Sequence, residues 1–232
     1  MKKLLFSIAV ICSLQSVVSQ TFGDGILNYI GTSGSTVKVT GGAGGVCPTG
    51  ALTIPDTVDY NSTIYTVTAV GEEAFKQCGS LTSIIFPSSL TSIGAYAFYN
   101  CRGFTGSLTL PNSLTSIGDY AFYYCWNFSG SLTLPSMLTS IGEYAFYDCT
   151  GFTGSLTIPS TLTSINNFAF YNCSGFTGSL TIPSTLTSIS AGAFNDCSGF
   201  TGSLTLPSTM TSIADYLFQA VDSQEALRFP LC

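Results

Sequence analysis

Histidine is missing from this chain altogether, and basic side chains are nearly so: six Lys and Arg stand against twelve Asp and Glu, and only 8% of residues are charged. The first absence removes the usual general base of nucleophilic catalysis and the commonest nitrogen ligand of zinc. No C-x-x-C pair makes up for it, so a structural zinc site is not expected. Acid–base work would fall to carboxylates, Lys or Cys. Yet Asp119, Glu143 and Asp215 share one repeat position that carries Ala or Asn in other copies, which reads as an exposed face. No catalytic residue and no cofactor is therefore expected. The scarcity of Lys and Arg argues against nucleic acid, whose phosphates need cations to neutralise them. Long apolar runs are lacking too. Only residues 4–14 approach one, well short of the ~18–20 residues that span a bilayer.

That apolar run belongs to an expected signal peptide, residues 1–19. Lys2 and Lys3 precede it, and Val17-Val18-Ser19 supplies small residues for cleavage before Gln20. Ile11 stands where a lipoprotein signal needs a small residue before Cys12. Loss of the segment leaves four basic against twelve acidic residues, a net charge of −8. The mature chain is then expected to be exported, secreted or held at the cell surface, with no membrane span.

What the sequence does have is repetition. Pro87, Pro111, Pro135, Pro159, Pro183 and Pro207 are each 24 residues apart. The segments ending at Cys125, Cys149, Cys173 and Cys197 follow the pattern x-G-F-T-G-S-L-T-[LI]-P-x-x-[LM]-T-S-I-x-x-x-A-F-x-x-C, with Asn127 and Ser129 as departures. A fixed period of this size implies a solenoid, each unit burying its apolar face only by stacking on its neighbours. The 45% apolar content supports a continuous core despite the low charge. About seven coils of ~24 residues are expected over residues 51–220. The first carries a nine-residue insertion at 59–67, the second is one residue short, and the seventh runs through Phe218. Ahead of them, residues 26–30 and 36–40 read as two strands of an N-terminal β cap within residues 20–50, followed by a flexible Gly-rich loop from Gly41 to Gly50. Residues 221–232 break the pattern as a tail or cap.

Within a coil, Ser107-Leu108-Thr109-Leu110 alternates as a short strand that Pro111 ends. Ile93, Ala97, Phe98 and Cys101 follow at i, i+4, i+5 and i+8, which predicts a short helix or 3₁₀ turn over 94–100. Gly103, Gly151, Gly175 and Gly199, replaced by Asn only at 127, predict a left-handed turn.

The string L-x-[LI]-P-x-x-L-x-x-I-x-x-x-A-F-x-x-C resembles the BspA-like leucine-rich repeat family, over about residues 24–220. The short second coil, Leu81-Thr82-Ser83-Ile84-Ile85-Phe86-Pro87, matches it more closely still. The resemblance implies an α/β solenoid with a parallel β-sheet on one face and short helical turns on the other. It also implies a secreted or surface protein associated with adhesion, with no catalytic residues to carry over. No surface anchor is recognisable toward the C-terminus.

Three surface features are candidates for binding. Thr109, Thr133, Thr157, Thr181 and Thr205 should point outward, each with a Ser two residues earlier, forming a hydroxyl array on the strand side. Tyr99, Tyr123, Tyr147 and Tyr171 form a row opposite the apolar stripe, where aligned large side chains mark either contact or mutual packing. Trp126, the single tryptophan, stands where other coils have Thr, Ser or Arg. The cysteines at 78, 101, 125, 149, 173 and 197 share one buried phase and are expected to be reduced, since equivalent positions lie beyond disulfide reach. The function expected is a non-catalytic binding or adhesion module for a macromolecular partner, a protein or a glycan. A structural spacer without a ligand is the alternative.

Overall fold

The computed structural model describes residues 21–23, 25–202 and 204–210. The expected signal segment, Ser203, Phe218 and the tail at 221–232 lie outside the described residues.

The chain opens with a small antiparallel sheet. Strands β1 (Thr21–Gly23), β2 (Leu27–Ser33) and β3 (Thr36–Gly42) pair in order. Alternation does the folding work here: Leu27, Tyr29, Val37 and Val39 are buried while their neighbours are less so. β3 then pairs in parallel with β6, so the expected cap is joined to the repeats by backbone hydrogen bonds. The segment expected to be a flexible loop is instead anchored. It holds a single 3₁₀ turn, Ala43–Gly45, and Cys47 forms a disulfide with Cys78 across a Cα–Cα distance of 5.2 Å. Cys78 is therefore not the sixth free thiol the repeat phase suggested. Its position has a partner because the Gly-rich segment brings a second cysteine against the first coil.

The first coil contains β4 (Gly50–Thr53) and the hairpin β5 (Thr57–Tyr60) and β6 (Thr63–Val70). The expected insertion is this hairpin. Asn61 and Ser62 turn it with φ of 50° and 62°, the left-handed pair that suits the twist of a two-residue connection. β7 (Leu81–Ile85) pairs in parallel with β4. Two short strand positions then recur: Ser-Ile at β8 (Ser92–Ile93), β9 (Ser116–Ile117), β10 (Ser140–Ile141), β12 (Ser164–Ile165) and β14 (Ser188–Ile189), and Leu-Thr at β11 (Leu156–Thr157) and β13 (Leu180–Thr181). The longest parallel path runs β3-β6-β8-β9-β10 through the Ser-Ile positions. The Leu-Thr positions expected to carry the sheet pair only at β4–β7 and β11–β13, and residues 107–110 and 131–134 belong to no paired strand.

The predicted helix is the main correction. Among the described residues the only helical element is the Ala43–Gly45 turn. Over 94–101 the backbone makes successive tight turns, with Ala97, Tyr99 and Cys101 N–H donating to Gly94, Tyr96 and Phe98 carbonyls at 3.3, 3.1 and 3.2 Å. The intervening N–H groups of Tyr96, Phe98 and Asn100 donate sideways to Asp119, Ala121 and Tyr123 in the next coil at 2.8, 2.8 and 2.7 Å. A helix would direct every N–H along its own axis and leave none for the neighbour. Tyr96 and Asn100 adopt φ of 55° and 59° to make the pattern possible. Ile93, Ala97, Phe98 and Cys101 are all buried, as the spacing required.

Gly103, Gly151, Gly175 and Gly199 are not in left-handed conformations. Their constraint is distance: a Cβ at Gly103 would collide with the carbonyl oxygens of Gly79 and Leu81 in the preceding coil, and the other three meet the same obstacle. Asn127 breaks the rule with an exposed side chain whose Nδ2 donates to the Arg102 carbonyl at 2.8 Å.

Stacked columns form the core. Phe75, Phe98, Phe122, Phe146, Phe170 and Phe194 lie face to face at 5.2 to 5.4 Å between successive centroids. A second column joins Phe104, Phe128, Phe152, Phe176 and Phe200. Cys101, Cys125, Cys149, Cys173 and Cys197 are free and buried. Each donates its S–H to a phenylalanine carbonyl of the preceding coil, for example Cys125 to Phe98 at 3.1 Å and Cys149 to Phe122 at 3.2 Å. The thiol is small enough for the stripe and still supplies a donor to a buried carbonyl. Burial pushes the Cys101 thiol up to about 12 and raises Cys125, Cys149 and Cys173 well above their ordinary range.

Alkylation followed by peptide mass mapping checks this arrangement. The five ladder thiols should label only after unfolding, and Cys47 and Cys78 only after reduction. Cys47→Ser should cost about 2–4 kcal/mol, as for other native disulfides. Labelling of Cys149 in the folded protein would refute the burial.

Candidate binding surface

Each coil offers two outward-facing regions of different chemistry. On the strand side, Thr109, Thr133, Thr157, Thr181 and Thr205 are all exposed, as are Ser107, Ser131, Ser155 and Ser179. Thr157 and Thr181 stand in register on paired strands. The row is less uniform than its sequence: the coils at 109 and 133 lack strand pairing, and the second coil places an exposed Ile85 at the equivalent position. Other hydroxyls of the repeat are structural. Thr91, Thr115, Thr139 and Thr187 each donate to the equivalent carbonyl one coil earlier at 2.9 to 3.0 Å.

On the turn side, Tyr99, Tyr123, Tyr147 and Tyr171 are half-buried and stacked, with centroids 5.0, 4.7 and 4.4 Å apart and interplanar angles of 2°, 18° and 9°. A second column lies beside them. Tyr96, Tyr120, Tyr144 and Phe168 stack at 4.8, 4.7 and 5.0 Å. The 24-residue recurrence was a signal for these residues, and their three-residue spacing from Tyr99 and its equivalents places the two rows side by side even on a helical wheel. The tandem turns keep that neighbourhood, with Tyr96 and Tyr99 rings 5.7 Å apart.

Both columns have defined ends. The positions before Tyr96 and Tyr99 are Glu73 and Lys76, which pair at 2.5 Å. The Lys76 ammonium lies 5.2 Å from the Tyr96 ring and 5.9 Å from the Tyr99 ring, a favourable cation–π placement. At the other end the columns pass to Gly192 and Asn195; Phe168 packs where a Cβ of Gly192 would be. Ring faces are therefore taken up by neighbouring rings, and phenol edges and hydroxyls are what the columns present. Desolvation raises Tyr123 and Tyr147, and a hydrogen bond to the Asp196 carboxylate pushes Tyr171 up to about 12. Tyr123, Tyr147 and Tyr171 therefore stay protonated at neutral pH.

Trp126 extends this surface on one side. It is half-buried, with Tyr124 at 5.9 Å and the Arg102 guanidinium 4.3 Å from its ring centroid. Tyr124 itself adopts φ of 59°, close to the 59° and 58° of Asn100 and Asp148 at the same position of the neighbouring coils; what differs is the bulky ring where Asn or Asp stands elsewhere. Tyr124, Trp126 and Asn127 thus depart from the repeat together. Among the described residues no group of three or more metal-ligating side chains occurs, and no helix is long and apolar enough to cross a membrane.

Stacked coils linked by parallel strand pairs, with leucine, isoleucine and phenylalanine columns between them, define a leucine-rich repeat solenoid. The chain belongs to the BspA-type leucine-rich repeat family: the BspA type leucine rich repeat region matches residues 68–200 and 152–231. Among solved structures it is similar to a leucine rich cell surface protein from Faecalibacterium prausnitzii (26% identity, TM-score 0.69, 85% of this chain and 51% of that one). It is also similar to a leucine-rich repeat protein from Bacteroides ovatus (27%, 0.66, 84% and 56%). A T. pallidum leucine-rich repeat protein (22%, 0.59, 78% and 91%) shares the fold. The chain spans about half the length of the first two. No curated protein matches it.

Proposed function

We propose that the chain is an exported, surface-displayed repeat protein that acts by binding a macromolecular partner, a protein or a glycan, without catalysis. The observation that carries this reading is the group Tyr124, Trp126 and Asn127, where an otherwise near-identical array becomes unique in its side chains beside a double aromatic column. Aromatic side chains dominate interface energetics, whereas Ser and Thr contribute little there. The likeness to a bacterial cell surface protein supports display outside the cell.

The mutual stacking favours one other reading, a stiff spacer whose tyrosines serve only to clamp successive coils. A glycan and protein array separates the two: a saturable ligand supports binding, and none across a broad panel supports the spacer. With a ligand in hand, two quadruple variants locate the site. Replacing Tyr99, Tyr123, Tyr147 and Tyr171 by Phe keeps the stack and removes its hydroxyls; it should weaken binding about ten-fold. Replacing Thr109, Thr133, Thr157 and Thr181 by Lys should leave binding nearly unchanged. The opposite outcome would move the site to the strand side.

A further inference from the structure

The charges of this protein are not spread evenly. Of the eight acidic residues described, Glu72, Glu73, Asp119, Glu143, Asp148 and Asp196 belong to the turn segments that carry the aromatic columns. Only Asp56 and Asp59 lie elsewhere, beside and within the hairpin of the first coil. The strand-side rows carry hydroxyls and no charge. Carboxylates border the columns on both sides: Asp119 and Glu143 immediately precede Tyr120 and Tyr144, while Asp148 and Asp196 occupy the sequence position of Tyr124 in later coils. Several are held in place. Asp119 Oδ1 accepts the Glu143 N–H at 2.8 Å, Glu143 Oε1 accepts Asn167 Nδ2 at 3.0 Å, and Asp148 Oδ1 accepts Asn172 Nδ2 at 2.5 Å.

The chain also shows what this surface attracts. Three basic residues fall among those described, Lys38, Lys76 and Arg102. Two of them are seated on its aromatic rings, Lys76 over Tyr96 and Tyr99 and Arg102 over Trp126. Beyond these two cations, the hydroxyls of Tyr123, Tyr147 and Tyr171 hydrogen-bond to Tyr124, to one another and to Asp196, and no basic residue stands beside the carboxylates of these coils in the sequence. Phenol oxygens and carboxylates are acceptors, and a cation is the group that satisfies both while resting its alkyl stem on ring edges.

We infer that the aromatic turn side is a docking surface for a cationic polypeptide segment rich in Lys or Arg. The inference rests on the binding function proposed above and names the chemistry of its partner. Complementary charge sets orientation and speeds encounter, and the aromatic columns provide contact area.

Trp126 is the chain's single tryptophan, so its emission reports from this surface alone. A decalysine peptide titrated at 0.05 M salt should change Trp126 emission saturably, and a decaglutamate peptide should not. Glu143→Gln/Asp148→Asn should weaken decalysine binding about five-fold. Asp56→Asn/Asp59→Asn, which removes the same charge away from the columns, should change it less than two-fold. Matching circular dichroism and denaturation midpoints certify both variants as folded. Equal weakening by the two variants would reduce the effect to bulk charge, and absence of saturable decalysine binding would overturn the inference outright. A neutral or acidic ligand emerging from the arrays would also overturn it while leaving the binding function intact; no ligand on any array would remove both.

Discussion

Raising the pH from 8 to 10.5 should unfold this protein cooperatively, without denaturant. Four ladder thiols, Cys101, Cys125, Cys149 and Cys173, are held protonated by burial, Cys101 up to about 12 and the others well above their ordinary value. In the unfolded chain a thiol ionises near pH 8.5–9. Below that pH both states bind the proton and folding loses nothing. Above it the unfolded state releases protons that the folded state keeps, so stability falls as pH rises toward the folded pKa. The slope is about 1.4 kcal/mol per pH unit per thiol. One unit above the unfolded pKa, the four together cost about 6 kcal/mol, which is comparable with the whole stability of an ordinary domain. Tyr123, Tyr147 and Tyr171, also raised, act in the same direction. Urea titrations followed by circular dichroism at pH 8, 9 and 10 measure the slope. Cys125→Ala/Cys149→Ala should lose stability at pH 7 yet halve its dependence on alkali. A stability independent of pH between 8 and 10.5 would show that the thiols are not buried as described.

Phe146→Ala should destabilise by about 3–5 kcal/mol, as for other fully buried aromatics. Phe146 stacks on Phe122 and Phe170 at 5.3 Å each, and meets Phe152 edge-on at 6.2 Å. In a linear array a hole at this point weakens the contacts with both neighbouring coils at once. Phe200 stacks on Phe176 at 5.2 Å and is only half-buried, so Phe200→Ala should cost clearly less. Denaturant midpoints give the comparison, and equal losses would be inconsistent with nearest-neighbour stacking.

Much of this architecture could be read from period and residue type. The 24-residue recurrence required a stack of like coils, because each coil leaves an apolar face that only its neighbour can cover. Alternation in 26–30 and 36–40 located the two cap strands, and the shared phase of Ile93, Ala97, Phe98 and Cys101 identified a buried stripe. The outward Thr row followed from the same alternation. Other features depended on what one coil does to the next. The stripe's spacing suited a helix, but a stacked coil must also offer hydrogen bonds sideways. Alternate N–H groups therefore leave the local turn for the neighbour, and Tyr96 and Asn100 take left-handed conformations to allow it. Gly103 and its equivalents answer to carbonyls of the preceding coil, a contact invisible in any single repeat. Cys78 carries the same letter as Cys101 at the same phase, yet only Cys78 has Cys47 beside it. The rows at Tyr96 and Tyr99 were both present as letters three residues apart, while the face-to-face closure of each required the stacked turns. Composition and period by themselves determined that the coils stack and which residues lie inside. Contacts between coils, which exist only once the chain is stacked, decided the backbone path, the disulfide and the aromatic surface.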